Sequence, residues 1–367
     1  MTCSEERSIK LARVRELIEK LGFDALYCKR QDDFAWLTCG GINYVGLGEM
    51  GNCGLLITRE NTYAITNCIE APRMRDEEHL EGMGFELHYG VWHDDAFEQN
   101  ALRSLVPSGK ICFDYGGASG PNVANDVKLL RFSLTEAEVA RYQEGGFLTA
   151  RAIEETLATA RPGDSENDLI GRLVYRIRKR GMDVVSAMCA ADERIYKYRH
   201  PVPHGDVIRE RVQLGGNFRY RGLIICCTRL LNFVPVTQQL REQYLVNVEI
   251  DCTLMANSIP GHTFVSALEA GRAAYAARGY AAEFDKHHQG GPIGYAGRDY
   301  RVGFNTPGVI AENQAFCWNP SITGTKSEDT VIATSAGIIP VSRPILFPTL
   351  SLTVCGQKFV RPAIWEV

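Results

Sequence analysis

The stretch Arg161-Pro162-Gly163-Asp164-Ser165-Glu166-Asn167-Asp168-Leu169-Ile170 decides how the chain is read, because its pattern returns at Ile259-Pro260-Gly261. Proline and glycine break one helix, and Ser165 with Asp168 caps the next, which carries Leu169, Ile170, Leu173, Val174 and Ile177 at helical spacing to a stop at Gly181. In the later copy a helical stretch from Gln238 to Ala256 precedes the break, and a second helix stops at Arg278-Gly279. Pro162 to Gly181 and Pro260 to Gly279 span the same number of residues, and a strand-rich region follows each copy. The spacing predicts an internal repeat of two α-plus-β halves around a shared cleft, not a solenoid, which needs more copies.

Upstream, Thr135-Glu136-Ala137-Glu138 is a capping-box pattern opening a long helix that reaches Ala160. Before it, Leu11, Val14, Leu17, Ile18 and Leu21 form an amphipathic helix stopped by Gly22. Short strand-like runs follow at Ala25 to Cys28, Gly54 to Thr58, Thr62 to Thr66, Phe85 to Tyr89 and Lys110 to Phe113. The expected organisation is α+β in two domains, a small α/β domain over 1–133 and a duplicated domain over 134–367.

The chain has 367 residues, 45% hydrophobic and 23% charged, enough for two separate cores. A net charge of -4 gives no general attraction to nucleic acid or to anionic membrane, so neither is expected as a partner. No apolar run approaches the roughly 18 residues that span a bilayer, and the N-terminus lacks a secretory profile, so a cytoplasmic location is expected. The twelve cysteines are scattered without a CxxC pair and read as reduced, small apolar residues.

Two stretches carry the chemistry: Lys286-His287-His288-Gln289-Gly290-Gly291-Pro292-Ile293-Gly294-Tyr295, and Trp318-Asn319-Pro320 followed by Gly324-Thr325-Lys326-Ser327-Glu328-Asp329. Adjacent histidines running into glycines, then a carboxylate on an alternating segment, read as walls of one pocket. Arg199-His200-Pro201 through Cys226-Cys227-Thr228-Arg229 is the matching region of the first half.

With these residues in register, nearly the whole chain resembles the creatinase and Xaa-Pro aminopeptidase (prolidase, aminopeptidase P) superfamily. Asp24-Ala25-Leu26-Tyr27 and Phe34-Ala35-Trp36-Leu37-Thr38-Cys39-Gly40 resemble its first domain. Arg161-Pro162-Gly163 and Arg361-Pro362-Ala363-Ile364 resemble the start and end of its duplicated "pita-bread" catalytic domain. The superfamily's peptidases hold two divalent metals with two aspartates, a histidine and two glutamates. Its Gly-Tyr-x-x-Asp-x-Thr-Arg segment matches Gly222 to Arg229, so one aspartate position falls on Cys226 and the other on Gly215. The histidine position falls on Gly291, the first glutamate on Asn319, and the second survives as Glu328.

A lone carboxylate and an amide cannot replace five donors, so no metal cofactor is expected. Cys226 beside His287 or His288 makes a poor metallopeptidase site. The resemblance offers creatinase as a precedent for chemistry on this fold without metal. It implies His200 as the proton-transfer residue, with His287 and Glu328 completing the catalytic set. His288, Arg298, Asn319, Lys326 and Arg229 are expected to bind substrate, the basic residues suiting an anionic group. If the histidine segment is a strand, His287 and His288 face opposite ways. Gly215 and Gly291 either open room for a substrate group or maintain strand curvature.

The expected activity is metal-independent hydrolysis or lysis of a small carbon–nitrogen compound, an amino-acid derivative, by a homodimer. Two alternatives stand beside it: an Xaa-Pro dipeptidase or aminopeptidase with an unusual metal set, and a non-catalytic module that binds a small molecule or peptide.

Overall fold

A computed structural model describes all 367 residues. They form two compact units, Met1–Glu138 and Val139–Val367, so the division falls in the first turn of a helix, slightly past the boundary expected at 133.

The first unit runs α1 (Cys3–Leu21), β1 (Ala25–Arg30), α2 (Gln31–Leu37), β2 (Met50–Thr58), β3 (Thr62–Asn67), α3 (Ala71–Asp76), β4 (Glu86–Gly90), α4 (Phe97–Leu105), β5 (Ile111–Phe113) and α5 (Ala124–Leu130). Thr2 and Glu5 form a reciprocal capping box that satisfies free amides at the start of α1, and Gly22 ends it in the left-handed conformation. Leu11, Val14, Leu17 and Ile18 of α1 are buried, as their spacing requires. The strands make one mixed sheet in the order β4-β3-β2-β1-β5. Ala25, Tyr27, Leu56, Ile65, Ile111 and Phe113 from this sheet pack with Leu102 and Val106 in one core.

The second unit contains α6 (Glu136–Ala158), α7 (Glu166–Lys179), β6 (Asp183–Ala191), α8 (Arg194–Lys197), β7 (Arg211–Tyr220) and β8 (Leu223–Asn232) in its first half. The second half has α9 (Gln238–Ala256), α10 (Phe264–Ala277), α11 (Ala281–Phe284), β9 (Gly290–Pro292), β10 (Gln314–Trp318), β11 (Ser321–Ile322), β12 (Thr325–Lys326) and β13 (Asp329–Thr334). It ends in β14 (Gly337–Pro340), β15 (Thr349–Val354), β16 (Gln357–Pro362) and β17 (Trp365–Glu366). Equivalent helices start on equivalent caps: Ser165 accepts from the Asp168 amide at α7, and Thr263 accepts from the Ser266 amide at α10.

The repeat is expressed in the sheet order β6-β7-β8-β13-β10-β9, where three strands of one half meet three of the other. The seam lies between β8 and β13, which are registered through Cys227 and Asp329. All ten residues of β8 are buried, which accounts for its near-continuous apolar run. This is the duplicated pita-bread architecture. No helix is long and apolar enough to cross a membrane.

Candidate active site

The five positions at which the resemblance implies metal ligands lie on or beside the strands of this sheet. Gly215 lies on β7, Cys226 on β8 and Gly291 on β9; Asn319 follows β10, and Glu328 immediately precedes β13. Their side chains do not suit two divalent ions. A Cβ built at Gly215 would meet Thr228 Oγ1 at 2.3 Å and the Cys227 carbonyl oxygen at 2.5 Å. At Gly291, whose φ is 147°, it would meet the Tyr300 carbonyl oxygen at 2.5 Å. Both glycines therefore permit a close approach of neighbouring strand and loop atoms that a side chain would block. Cys226 is buried, and its amide and carbonyl are tied to Thr330 Oγ1 at 2.8 and 3.0 Å. A dinuclear site through these positions does not fit the residues present.

The surviving carboxylate is paired with a lysine. Lys326 Nζ lies 3.1 Å from Glu328 Oε2, with both side chains buried. The same oxygen accepts from Thr228 Oγ1 at 2.5 Å, and Oε1 accepts from the Cys317 thiol at 3.7 Å. Burial opposes ionisation of Glu328, but Lys326, Thr228 and Arg298 together hold its carboxyl below the ordinary value. Glu328 is thus a carboxylate already engaged by the protein, and it does not orient His200.

Lys326 and Glu328 open onto a cavity of about 240 Å³. Arg298, Arg301 and Asn319 continue its wall from the second half, and Ser186, Met188, Asn217 and His200 supply the first half. Three cations face one carboxylate there. Arg298 is anchored by donation to the Cys317 and Gly291 carbonyls at 2.7 and 3.2 Å. Asn319 Oδ1 is buried without a partner, an acceptor left for a ligand. A larger groove of about 590 Å³ runs past Glu155, Arg172 and Arg180, but those arginines are paired with Asp164 and Glu155.

His200 follows α8 and β6, and its ring meets both histidines that precede β9. His200 Nε2 lies 3.0 Å from His287 Nε2. The His287 and His288 rings stack with centroids 4.5 Å apart, and His288 lies 5.5 Å from His200. The condition under which the adjacent histidines would face opposite ways is not met, because the strand begins only at Gly290, so strand alternation does not apply. Burial, then the Lys326 charge, lowers the pKa of His200. Burial and Lys326 take His287 down to about 2, and burial and Arg298 take His288 down to about 4. All three imidazoles are neutral near pH 7.

Arg229, expected to bind substrate, is instead fully buried away from the cavity and donates to Glu154 and Asp329 at 2.9 Å each. Ser186, Asn217 and Arg301 were missed. Asn217 had a signal, since it lies two residues from Gly215 and shares its face of β7; Ser186 had none, because only the pairing of β6 with β7 places it opposite Asn217.

No family model matches the chain. It is 23% identical over 359 residues to the "Uncharacterized peptidase YqhT" of Bacillus subtilis (strain 168), covering 90% of this chain and 96% of that protein. Among solved structures, dipeptidase PepE from Mycobacterium ulcerans superposes with a TM-score of 0.77 at 17% identity, each chain covered over 100%. The Xaa-Pro dipeptidase from Bacillus anthracis gives 0.76 at 19% identity, covering 98% of this chain and 100% of that one.

Proposed function

We propose that this chain, which has the fold of the Xaa-Pro dipeptidases and the creatinase superfamily, hydrolyses a carbon–nitrogen bond in a small carboxylate-bearing amide or N-substituted amino acid. We place the reaction in the cavity beside His200. The observation that carries this reading is the excess of cations there, Lys326, Arg298 and Arg301 against Glu328, next to a neutral imidazole.

The cations suit a substrate carboxylate, and the free Asn319 Oδ1 suits an N–H of the scissile or neighbouring nitrogen. His200 accepts a proton from water as its oxygen attacks the carbon. The same proton then passes to the departing nitrogen, whose bond to carbon breaks as an amine is released. Such transfer is worth roughly 10²–10⁴-fold in rate. Lys326, held in place by Glu328, faces the negative charge that develops on the attacked group.

The test is a screen of dipeptides, N-acyl and amidino amino acids with chelator-treated, full-length protein. Turnover is expected to survive chelation and to fall about 10²–10⁴-fold in His200→Ala with the circular dichroism spectrum unchanged. Activity that appears only with two equivalents of added metal, or that His200→Ala leaves intact, overturns the reading.

A further inference from the structure

Two adjacent imidazoles, those of His287 and His288, converge with that of His200, 87 residues before His287 in sequence. One ring nitrogen from each of His200, His287 and His288 lies within 4.8 Å of the others. We propose that they form a site for a single transition-metal ion of the zinc or cobalt class, held by imidazoles alone on the histidine side of the cavity that Glu328 also lines. The inference goes beyond the proposed hydrolysis and does not depend on it.

The geometry is close to what such an ion requires. At metal–nitrogen bonds of about 2.0–2.1 Å, two imidazole nitrogens on one ion stand about 2.9–3.3 Å apart, depending on coordination geometry. His200 Nε2 and His287 Nε2 are already 3.0 Å apart. His288 is the ligand that must move, closing about 1.5 Å from the 4.8 Å limit and tilting out of its stack on His287. It lies in an irregular segment before β9, so no strand hydrogen bonding has to break.

Satisfaction of the ring nitrogens points the same way. The Nε2 contact between His200 and His287 uses one proton and one lone pair, while the Nδ1 atom of His288 is buried without any partner. An ion takes a lone pair from every ring at once. Three nitrogens and no carboxylate select zinc, cobalt, nickel or copper over magnesium or calcium. Lys326, Arg298 and Arg301 oppose a cation here, and they favour an anion at the position the three histidines leave open. Hydroxide or a substrate carboxylate therefore completes the coordination. Occupancy also ties up the lone pair that His200 needs as a base, so metal binding and His200-dependent turnover exclude one another.

The test uses full-length protein stripped with chelator and titrated with Co²⁺ alone, followed by its visible d–d absorption, with Zn²⁺ as competitor. One equivalent is expected, displaced by Zn²⁺. Because loss of a support residue alone costs about 10–100-fold in affinity, loss of a ligand in His288→Ala or His288→Asn is expected to cost 100-fold or more. His204→Ala, which removes an exposed imidazole outside the cavity, should leave the titration unchanged. The proposal is overturned by wild-type protein that binds no stoichiometric Co²⁺, by binding that persists in both folded His288 variants, or by binding lost in His204→Ala. None of these readouts involves turnover, so they stand whether or not a substrate is found.

Discussion

Glu328 and Asp329 are neighbours in sequence, yet they serve opposite sides of the seam in the second unit. On the cavity side, Glu328 meets a lysine in a setting where Asn319 Oδ1 and two histidine nitrogens have no protein partner. On the other side, Asp329 accepts from Ser342 at 2.7 Å and from Arg229 at 2.9 Å, and it forms an ion pair with Arg361 at 3.2 Å. Arg361 also pairs with Asp251 at 2.5 Å, and Ser327 donates to that carboxylate at 2.6 Å. Glu154 joins Arg229 to three consecutive backbone amides, those of Ile345, Leu346 and Phe347. Buried charge costs little when it is fully partnered and much when it is not. The Asp329 side also holds buried atoms without a partner, Arg229 Nη2, Arg361 Nε and Asp251 Oδ1, and it borders a cavity of about 420 Å³. Its charges, however, are paired with one another as framework, whereas the cavity beside Glu328 sets three cations against one carboxylate and is where an anionic ligand gains most.

The sharpest way to break this contrast is at Arg229. Removing its guanidinium leaves Glu154 and Asp329 buried without their main counter-charge. Arg229→Ala should lower unfolding free energy by about 3–5 kcal/mol, measured by urea denaturation, with ligand affinity of the surviving folded protein little changed. A stable Arg229→Ala variant with a damaged cavity would reverse the assignment of the two sides.

How much of this could be read in advance followed the range of the interactions. The helices after Pro162 and Pro260 were legible because caps, apolar spacing and stop residues are local, and the structure places them where those signals stand. The duplication was legible because it repeats such local signals. The orientation of Arg229 was not, since its partners lie 75 and 100 residues away and motif register says nothing about which face a side chain takes. The stacking of His287 on His288 escaped for a different reason. Alternation would hold only in a strand, and the strand here starts at Gly290, after both histidines. The resemblance put Gly215 and Gly291 at ligand positions, but whether they made room or contact depended on backbone from Cys227 and Tyr300.

A smaller effect is expected at Lys326, which touches the cavity and not the framework. Lys326→Met removes the ammonium and leaves Glu328 with Thr228 and the Cys317 thiol. The Glu328 pKa then rises, because burial is no longer opposed by its nearest charge. Turnover of an anionic substrate should fall about 100-fold, while a neutral amide analogue should lose less. Equal losses on both substrates would remove Lys326 from carboxylate recognition.

The mildest probe is proton activity itself, and its sign follows from the three histidines. Burial, with Lys326 and Arg298, depresses all three, so the folded protein binds their protons only well below the ordinary imidazole value of about 6.5. Between those limits the unfolded chain holds more protons than the folded one, so stability rises with pH and is fully present above the unfolded value. It is lost as pH falls from about 6.5 toward the folded value of about 4 at His288 and further for His287. Partial solvation keeps each contribution under the limit of about 1.4 kcal/mol per pH unit. Urea midpoints between pH 7.5 and 5, both chosen roughly to bracket the imidazole range, should therefore decline on acidification. The decline should be shallower in His288→Asn, which cannot take up a proton when unfolded. An unchanged slope in that variant would mean that His288 is not held neutral by the cavity, and that the cations beside it are better screened than their burial implies.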